Sequence, residues 1–286
     1  MEKLNYSVDP KEGLYFSLKV LFAIIGYGII CLLIAKLMSS EAYVAFIPFL
    51  LYIPLVLLLF LFRMGLLVGY LRGNSVKVTS KQFSDINEIL LKQCERLGIR
   101  KAPELFVLQS GGLLNAFATR FLGSNYIVIY SDILEEAYDS GYDSVEFVIG
   151  HELGHIKRKH MVKSLFLFPS LIIPFLNRAY SRACEYTCDD IGANLNPAGS
   201  LSGLLILASG KKLWEKVDSE QFMAQEKTEN GFWSWFAEKV STHPKLTKRL
   251  GRLKRMNIID YTMKKEEAPK LKEYVSDHSN FMPKFG

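Results

Sequence analysis

The chain opens with two long apolar runs separated by a short polar turn. The first run covers Val20 to Ala35, and the second covers Ala42 to Phe62. About 20 apolar residues suffice to cross a hydrocarbon core of ~30 Å, so these runs predict a transmembrane helical hairpin. Pro48 and Pro54 interrupt the second run and should kink its helix.

The distribution of charge predicts how this hairpin is oriented. Lysine and arginine are frequent before and after the hairpin, whereas its turn has only Lys36 against Glu41. By the positive-inside rule, both ends of the hairpin lie in the cytoplasm. The segment before Val20 is too polar and too mixed in charge for a signal peptide, so we expect the hairpin to be retained. We therefore expect a multi-pass protein of the cytoplasmic membrane whose larger part faces the cytoplasm.

After residue 73 the pattern changes to that of a soluble α+β domain. Apolar residues recur at helical spacing over 86–97, after a Thr79-x-x-Gln82 pattern that predicts a helix cap. Residues 104–109 and 126–130 are apolar and β-branched and predict strands, and 133–138 predict a short helix. The expected architecture is a mainly helical domain with a small β-sheet.

The composition agrees with a membrane protein. Apolar residues make up 49% of the chain, and the mean hydropathy of +0.12 is high for a soluble protein. The net charge of +6 is modest and scattered, which suits anionic lipid, and no nucleic-acid-binding motif is present. We expect the lipid bilayer, and no nucleic acid, as a partner. Four cysteines without a Cys-x-x-Cys pair predict reduced thiols.

The candidate chemistry begins with a His-Glu-x-x-His motif at residues 151–155. On a helix, positions i and i+4 share one face, so His151 and His155 can bind one metal ion from successive turns. Glu152 lies about 100° around the helix, where its carboxylate can act as a general base on a metal-activated water. Residues 143–146 have the Asp-x-x-Glu form of a capping box, which predicts that the helix begins there.

A catalytic zinc ion needs a third protein ligand and one open position. Residues 181–189 predict a helix with Glu185 and Asp189 on one face. One carboxylate can bind the metal, and the other can accept the free N–H of a bound imidazole and fix its orientation. A solvated acidic face is the alternative. His160 falls on the opposite side if the motif helix continues, which predicts a surface position or one behind the ligands.

An apolar segment separates the two halves of this candidate site. Residues 164–176 are too few to span a bilayer as a helix, and Pro169 and Pro174 interrupt them. The alternatives are a buried helical hairpin, a segment at or within the membrane surface, and a third crossing. A crossing would place the two halves of the site on opposite sides of the membrane. We expect the buried hairpin.

Four short elements follow one another along the region after the hairpin. They are Asn115-Ala116-Phe117-Ala118, then His151-Glu152-Leu153-Gly154-His155, then Ser181-Arg182 with Glu185 and Asp189, and finally Thr242-His243-Pro244 with Arg249. In order and spacing they resemble the HtpX type of membrane-bound zinc metalloendopeptidase, which is related to the CAAX prenyl endopeptidases. The chain departs from that family in two places. It has only the short apolar insert where members carry further spanning segments, and it has Cys188 where they usually have Ala.

The resemblance implies a role for each matching residue. His151, His155 and Glu185 would bind one zinc ion, Glu152 would be the base, and Asp189 would support a ligand. The fold implied is of the zincin type and gluzincin-like.

The resemblance also implies a substrate cleft. Asn115, Ala116 and Phe117 would lie along its edge, where an extended peptide can add to the sheet by backbone pairing. Asn115 would give its side-chain amide to the substrate, with a turn-forming role as the alternative. His243 or Arg249 would lie near the cleft and hydrogen-bond the oxyanion of the tetrahedral intermediate.

These observations predict four regions. They are a cytoplasmic tail at 1–17, a transmembrane hairpin at 18–72, a zinc metallopeptidase domain at 73–262 and a polar tail at 263–286. The expected function is zinc-dependent endopeptidase activity at the membrane, on unfolded or membrane proteins, in membrane-protein quality control or processing. The alternatives are a catalytically silent, zinc-stabilised scaffold or chaperone, and a CAAX-type prenyl-protein endopeptidase.

Overall fold

The structure is a computed structural model that describes residues 4, 6–39, 43–109, 111 and 115–256. It is a mainly helical α+β protein with a small sheet, as the sequence predicts. The polar tail expected at 263–286 lies outside the described residues. The helices are α1 (Pro10–Met38), α2 (Tyr43–Asn74), α3 (Ser84–Arg96), α4 (Ser131–Ser140), α5 (Asp143–Lys157), α6 (His160–Phe166), α7 (Leu176–Leu195), α8 (Pro197–Ser209), α9 (Ser219–Thr228), α10 (Phe232–Val240) and α11 (Leu246–Arg255). The strands are β1 (Val76–Lys77), β2 (Glu104–Leu108), β3 (Ala116–Phe121) and β4 (Ser124–Tyr130), and short 3-10 helices cover Phe168–Ile172 and Trp214–Lys216.

The helices α1 and α2 contain stretches long and apolar enough to cross a membrane. These stretches are Pro10–Leu37 and Pro54–Asn74, and only 11% of the most apolar part of each is buried against the rest of the protein. A core helix of a soluble protein would be mostly buried, so this exposure favours contact with lipid. Helix α2 continues to Asn74, past the end at Phe62 that the apolar run predicted.

Helix α1 begins earlier than the predicted hairpin because Asp9 and Pro10 form a helix start. Asp9 Oδ1 accepts a hydrogen bond from Lys11 N at 2.8 Å. Pro10 occupies the first helical position, where its missing N–H would have no partner in any case. Residues 10–17 therefore belong to α1, whereas the sequence analysis assigned them to a tail.

The first half of α1 packs antiparallel against α7. Asp9 N donates to Thr187 Oγ1 at 3.1 Å, and Lys19 Nζ donates to Asn177 Oδ1 at 2.5 Å. Both pairs of positions are ten residues apart, so the two helices stay in register over about 15 Å. The amino-terminal part of the anchor is thus part of the folded domain.

The sheet has the strand order β1-β2-β4-β3. Strands β2 and β4, which the sequence predicted, are parallel neighbours, and β3 pairs antiparallel with β4. Strand β3 begins at Ala116 and lies at one edge of the described sheet. Leu105 of β2 and Ile127 of β4 form one buried cluster with Ile149 and Leu153 of α5, so the sheet holds the motif helix in place.

Glycines let α5, α7 and α8 approach one another closely. A Cβ atom on Gly154 would lie 3.1 Å from Cys188 Sγ, and one on Gly192 would lie 2.8 Å from the carbonyl oxygen of Phe147. A Cβ on Gly199 would lie 1.8 Å from the carbonyl oxygen of the residue that begins α5. Side chains at these positions would separate the helices that carry the candidate site.

Two predicted helix caps are wrong, although the helices that were expected to follow them are present. Thr79 and Gln82 pair with each other in an isolated bridge, and α3 begins after them without a side-chain cap. Helix α5 begins at Asp143 as expected, but no side chain caps it. Its Asp143 and Glu146 carboxylates instead accept hydrogen bonds from Asn196 Nδ2 at 2.9 and 3.0 Å. The acidic pair therefore joins α5 to the start of α8.

The segment 164–176 is not the buried hairpin that we expected. It comprises the end of α6, a 3-10 helix and the turn into α7, and most of its large apolar side chains are exposed. Phe166 is 67% exposed and Ile172 is 80% exposed. The sequence shows that the segment is apolar, but it does not show whether its side chains pack against the rest of the protein.

The close approach at Gly199 gives a testable prediction. We expect Gly199→Ala to lower the free energy of unfolding by at least about 2 kcal/mol, because the new methyl group meets backbone and must push α8 away from α5. The gain of about 1 kcal/mol in helix propensity does not offset that cost. Gly251→Ala is the control, since its Cβ would meet only the flexible end of Arg255 at 3.5 Å. Equal unfolding midpoints in detergent for both variants would contradict the packing described here.

Candidate active site

Helix α5 presents His151 and His155 to Glu185 of α7. The Nε2 atom of His151 lies 3.3 Å from Nε2 of His155 and 3.4 Å from Oε2 of Glu185. The Nε2 atom of His155 lies 3.4 Å from Oε1 of Glu185. The structure therefore brings the two imidazole nitrogens and a carboxylate around one point, with a different carboxylate oxygen near each imidazole, and that carboxylate is Glu185 and not Asp189.

The separations of these donor atoms fit a zinc ion. Ligand atoms that surround zinc tetrahedrally at about 2.0–2.1 Å lie about 3.3–3.4 Å from one another. The Oε2 atom of Glu185 is buried and has no hydrogen-bond partner, which a cation would correct. Burial opposes its charge, but the imidazoles of His151 and His155 hold the pKa of Glu185 well below its usual value. The residues present thus suit a divalent metal ion.

Asp189, which is bound to Arg249, contacts the ring nitrogen of His151 that does not face Glu185. Asp189 Oδ1 lies 3.0 Å from His151 Nδ1, so the proton on Nδ1 is shared with the carboxylate and Nε2 is left to face Glu185. Arg249 donates two hydrogen bonds to Asp189, from Nε at 2.8 Å and from Nη2 at 2.6 Å. Burial opposes the charge of Asp189, yet Arg249 and His151 hold its pKa below the usual value.

The electrostatic field around His151 favours a cation. Burial alone would lower the pKa of His151, but the hydrogen bonds and negative charges of Asp189 and Glu185 raise it to about 10. The same two carboxylates would favour a metal ion in place of the proton.

His160 contacts Nδ1 of His155, as Asp189 contacts Nδ1 of His151. Its Nδ1 atom lies 3.0 Å from His155 Nδ1, and its Nε2 atom lies 3.3 Å from Glu12 Oε1 on α1. Burial lowers the pKa of His160 to about 4, so the ring is neutral near pH 7. The surface position considered for His160 is wrong, because the side chain is buried. The position behind the ligands agrees with the structure.

Two further groups of possible ligands lie beside this site. One combines His155, His160 and Cys188, and the other combines Glu12, His160 and Cys184. Both need a thiolate, but burial raises the pKa of Cys184 to about 12 and that of Cys188 well above its usual value. In addition, a guanidinium nitrogen already lies 2.8 Å from Glu12 Oε1. The group of two histidines and Glu185 therefore suits a metal better than either alternative.

An open cleft with an empty volume of about 430 Å³ leads to this group. Glu152 lies in its wall next to His151, within reach of a molecule bound there. The other walls come from the start of β3, from α4, α7, α8 and α11, and from the segment before α11. The lining residues are Asn115, Ala116, Ile133, Phe147, Val148, His151, Glu152, Glu185, Leu207, His243 and Arg249.

The edge of β3 can accept another strand. Tyr130 N donates to Asn115 O at 3.0 Å, so Asn115 and every second residue after it face β4 with their backbone groups. The backbone groups of Ala116 and Ala118 consequently point away from β4, along the free edge. Asn115 Oδ1 accepts a hydrogen bond from Ala116 N at 2.9 Å, so the carbonyl of this side chain is used within the strand itself. Phe117 packs edge-on against Tyr130, and their ring centroids lie 6.4 Å apart. Such aromatic pairs usually have centroids about 4.5–7 Å apart.

His243 and Arg249, the two residues considered as hydrogen-bond donors to the oxyanion, lie in different environments. His243 is 62% exposed at the side chain, lines the cleft, and has Nε2 3.5 Å from Glu185 Oε1. Arg249 is buried, and two of its nitrogens are bound to Asp189. Its remaining terminal nitrogen, Nη1, lies 3.8 Å from Glu185 Oε2. His243 is therefore open to a substrate, whereas Arg249 is engaged behind the site.

Sequence reasoning missed Glu12 as a neighbour of the site. Its carboxylate accepts hydrogen bonds from Arg158 Nε and Nη2 at 3.2 and 2.8 Å, and it also contacts His160. The available signal was the Asp9-Pro10 pair, which predicts that a helix starts before the apolar run. Nothing in the sequence shows where that helix packs.

A mainly helical domain with His-Glu-x-x-His on one helix and a carboxylate pair on a second has the architecture of a metallopeptidase. The chain belongs to peptidase family M48, because the model of that family matches residues 80–174 and 167–257, together more than half of the chain. The resemblance to the HtpX type is thereby confirmed.

Individual relatives are distant. The plastoglobule-localized metallopeptidase 48 of Arabidopsis thaliana chloroplasts is 27% identical, over 59% of this chain and 55% of its own length. Protease HtpX homologs of Methanopyrus kandleri and Helicobacter pylori are 28% and 23% identical, over 60% and 63% of this chain and 66% and 69% of their own lengths. The chain thus spans about half to two thirds of these relatives. The crystal structure of S. mikatae Ste24p is similar with a TM-score of 0.48 and 15% identity, over 87% of this chain and 67% of that one.

The buried pair of Arg249 and Asp189 gives a second prediction. We expect Arg249→Met to lower the free energy of unfolding by about 3–5 kcal/mol, because Asp189 keeps its charge and loses its partner in a buried site. Lys248→Met is the control, since the more exposed pair of Lys248 with Glu238 should contribute at most about 1 kcal/mol. Chemical denaturation in detergent measures both variants. An Arg249→Met protein as stable as the Lys248→Met control would contradict this role of Arg249.

Proposed function

We propose that the protein is a membrane-anchored, zinc-dependent endopeptidase. The observation that carries the proposal is a cluster beside Glu152 in an open cleft: two imidazole nitrogens lie 3.3 Å apart, and each lies 3.4 Å from a different oxygen of Glu185. His151, His155 and Glu185 are the ligands in this proposal. Membership of peptidase family M48 supports it.

Each of these residues has its own role in the proposed hydrolysis of a peptide bond. Zinc bound there would polarise a scissile carbonyl and lower the pKa of a water molecule to about 7. Glu152 takes the proton of the attacking water and delivers it to the leaving amine. Asp189 fixes the ring of His151, and Arg249 compensates the charge of Asp189.

The substrate binds as an added strand. An extended peptide pairs with the outward backbone groups of Ala116 and Ala118 at the edge of β3, which requires the Asn115 side chain to release Ala116 N. Such pairing reads the backbone and not the side chains, so it supports broad sequence preference. His243 hydrogen-bonds the oxyanion in this proposal, which its exposed position in the cleft wall supports.

The hairpin of α1 and α2 anchors the enzyme, with the catalytic domain in the cytoplasm. Lysines and arginines around both helix ends support this orientation. The regions follow the sequence analysis, with a hairpin at 18–72 and a peptidase domain at 73–262, except that α1 extends back to Pro10. Unfolded or membrane proteins are the proposed substrates, and quality control or processing of membrane proteins is the proposed role.

Replacement of Glu152 tests the mechanism. We expect Glu152→Gln to keep its metal and to lose about 10²–10⁴-fold in kcat, because an amide cannot take a proton from water. Glu146→Gln is the matched control on the same helix, since glutamine can still accept the hydrogen bond from Asn196. Cleavage of a casein substrate by purified protein in detergent provides the readout. Wild-type rates in Glu152→Gln would refute the mechanism and favour the catalytically silent scaffold.

Metal analysis tests the ligands. We expect one zinc ion per chain, loss of cleavage with a chelator, and recovery when zinc is added back. Glu185→Gln should bind little metal, whereas Glu146→Gln should bind one equivalent. The cobalt-substituted protein should lack the intense near-ultraviolet charge-transfer band of a thiolate ligand. That band would place the ion instead at Cys184 or Cys188.

A further inference from the structure

The segment between Lys163 and Arg178 is an exposed apolar feature of the described chain outside α1 and α2. No charged residue occurs from 164 to 177. Its exposed side chains are Leu165, Phe166, Phe168, Leu171, Ile172 and Phe175. Contiguous apolar surface of this kind marks a site of contact with a protein or a membrane.

Contacts with α1 fix the depth of this segment. Asn177 binds Lys19, which is the last charged residue of α1 before its long apolar run. Pro169 packs directly on α1, since a Cβ atom on Gly26 would lie 2.7 Å from Pro169 Cβ. Gly26 is seven residues beyond Lys19, which is about 10 Å along a helix. The segment thus reaches well past the charged boundary of the anchor.

The tip of the segment is held beside the spanning part of α1. The hydroxyl of Tyr27 donates to the carbonyl oxygen of Phe166 at 2.9 Å, and its ring meets that of Phe168 edge-on at 5.7 Å. The side chains of α1 at this level, such as Ile24 and Ile29, are themselves exposed and apolar. The two elements therefore form one continuous apolar surface, and the same solvent must cover both.

Several backbone groups of the segment are hydrogen-bonded within it. Ser170 is fully buried, and its N and Oγ both donate to the carbonyl oxygen of Leu167, at 3.0 and 2.6 Å. Ile173 N donates to Ser170 O, and Leu176 N donates to the carbonyl oxygen of Pro174 at 2.8 Å. The prolines have no N–H to satisfy. Non-helical backbone at membrane depth is tolerated where it is buried against protein, and Ser170 at the turn of the segment is fully buried.

We propose that residues 164–177 form a re-entrant hairpin that inserts into the cytoplasmic leaflet beside α1, with phospholipid acyl chains as its partner. The hairpin enters and leaves on the same side, because it is too short to cross. Lys163 and the exposed Arg178 flank it, where they meet anionic head groups. The insertion keeps α5 and α7 on one side of the membrane and seats their site against the bilayer surface.

Spin labels on two matched leucines test the proposal. Leu171 in the segment is 56% exposed and Leu213, which follows α8, is 55% exposed. Each is replaced by Cys in full-length protein that also carries Cys31→Ala, and the Cys31→Ala protein alone serves as the labelling blank. Native Cys31, exposed on the spanning part of α1, provides the bilayer reference. The proteins are reconstituted into vesicles of phosphatidylcholine and phosphatidylglycerol, and circular dichroism confirms their folding.

Collisions of each label with oxygen and with a charged nickel chelate are then measured. At Leu171→Cys we expect access to oxygen and loss of most collisions with the chelate, as at Cys31, because a charged complex does not enter hydrocarbon. At Leu213→Cys we expect the chelate to have full access. Chelate access at Leu171→Cys equal to that at Leu213→Cys would place the segment in water. Protection of Leu171→Cys from both reagents would mean that protein covers it, through a second copy or a partner. Either result overturns the proposal, and neither depends on whether the protein cleaves peptides.

Discussion

The close packing of α5 against α7 is the constraint on which the candidate site depends. Two donor atoms come from α5 and the third from α7, so their mutual distances follow directly from the separation of the helices. Gly154 and Gly192 remove the side chains that would widen this separation. A functional constellation has to be held within about 0.5 Å, and the glycines provide that closeness at the cost of about 1 kcal/mol each in helix propensity.

Each histidine of the motif is then oriented by a different part of the chain. His151 is held by Asp189, whose charge is compensated by Arg249 from α11. His155 is held by the neutral ring of His160, which in turn contacts Glu12 of α1. The packing of α11 and of the membrane anchor therefore bears on the same site. In this structure α1 is a structural part of the peptidase domain as well as its anchor.

The sequence predicted the features that depend on residues close together along the chain. The motif at 151–155 and the carboxylates of α7 follow from a spacing of four residues, whereas the two central strands and the exposed apolar helices follow from the composition and length of continuous apolar runs. It did not predict the partner of Arg249, because Asp189 is 60 residues away and only the fold brings them together. The predicted cap at Asp143 failed for a related reason, since Asn196 supplies a competing donor from another helix.

The apolar insert shows a different limit of sequence reasoning. The composition of this segment suits a protein core and a lipid leaflet equally well. The number of its residues shows only that it is too short to cross the bilayer as a helix. The deciding observation is the level at which Pro169 meets α1, which depends on the antiparallel register of α1 with α7. That register is a tertiary property with no local signal.

For the proposed peptidase, the same register also sets a minimum length of substrate. Glu185 follows Asn177, the partner of Lys19, by eight residues on α7, so it lies about 12 Å from the level of Lys19. An extended polypeptide advances about 3.3 Å per residue. In the proposed function, a substrate that leaves the bilayer beside α1 consequently needs about four residues of free length before one of its peptide bonds reaches the site.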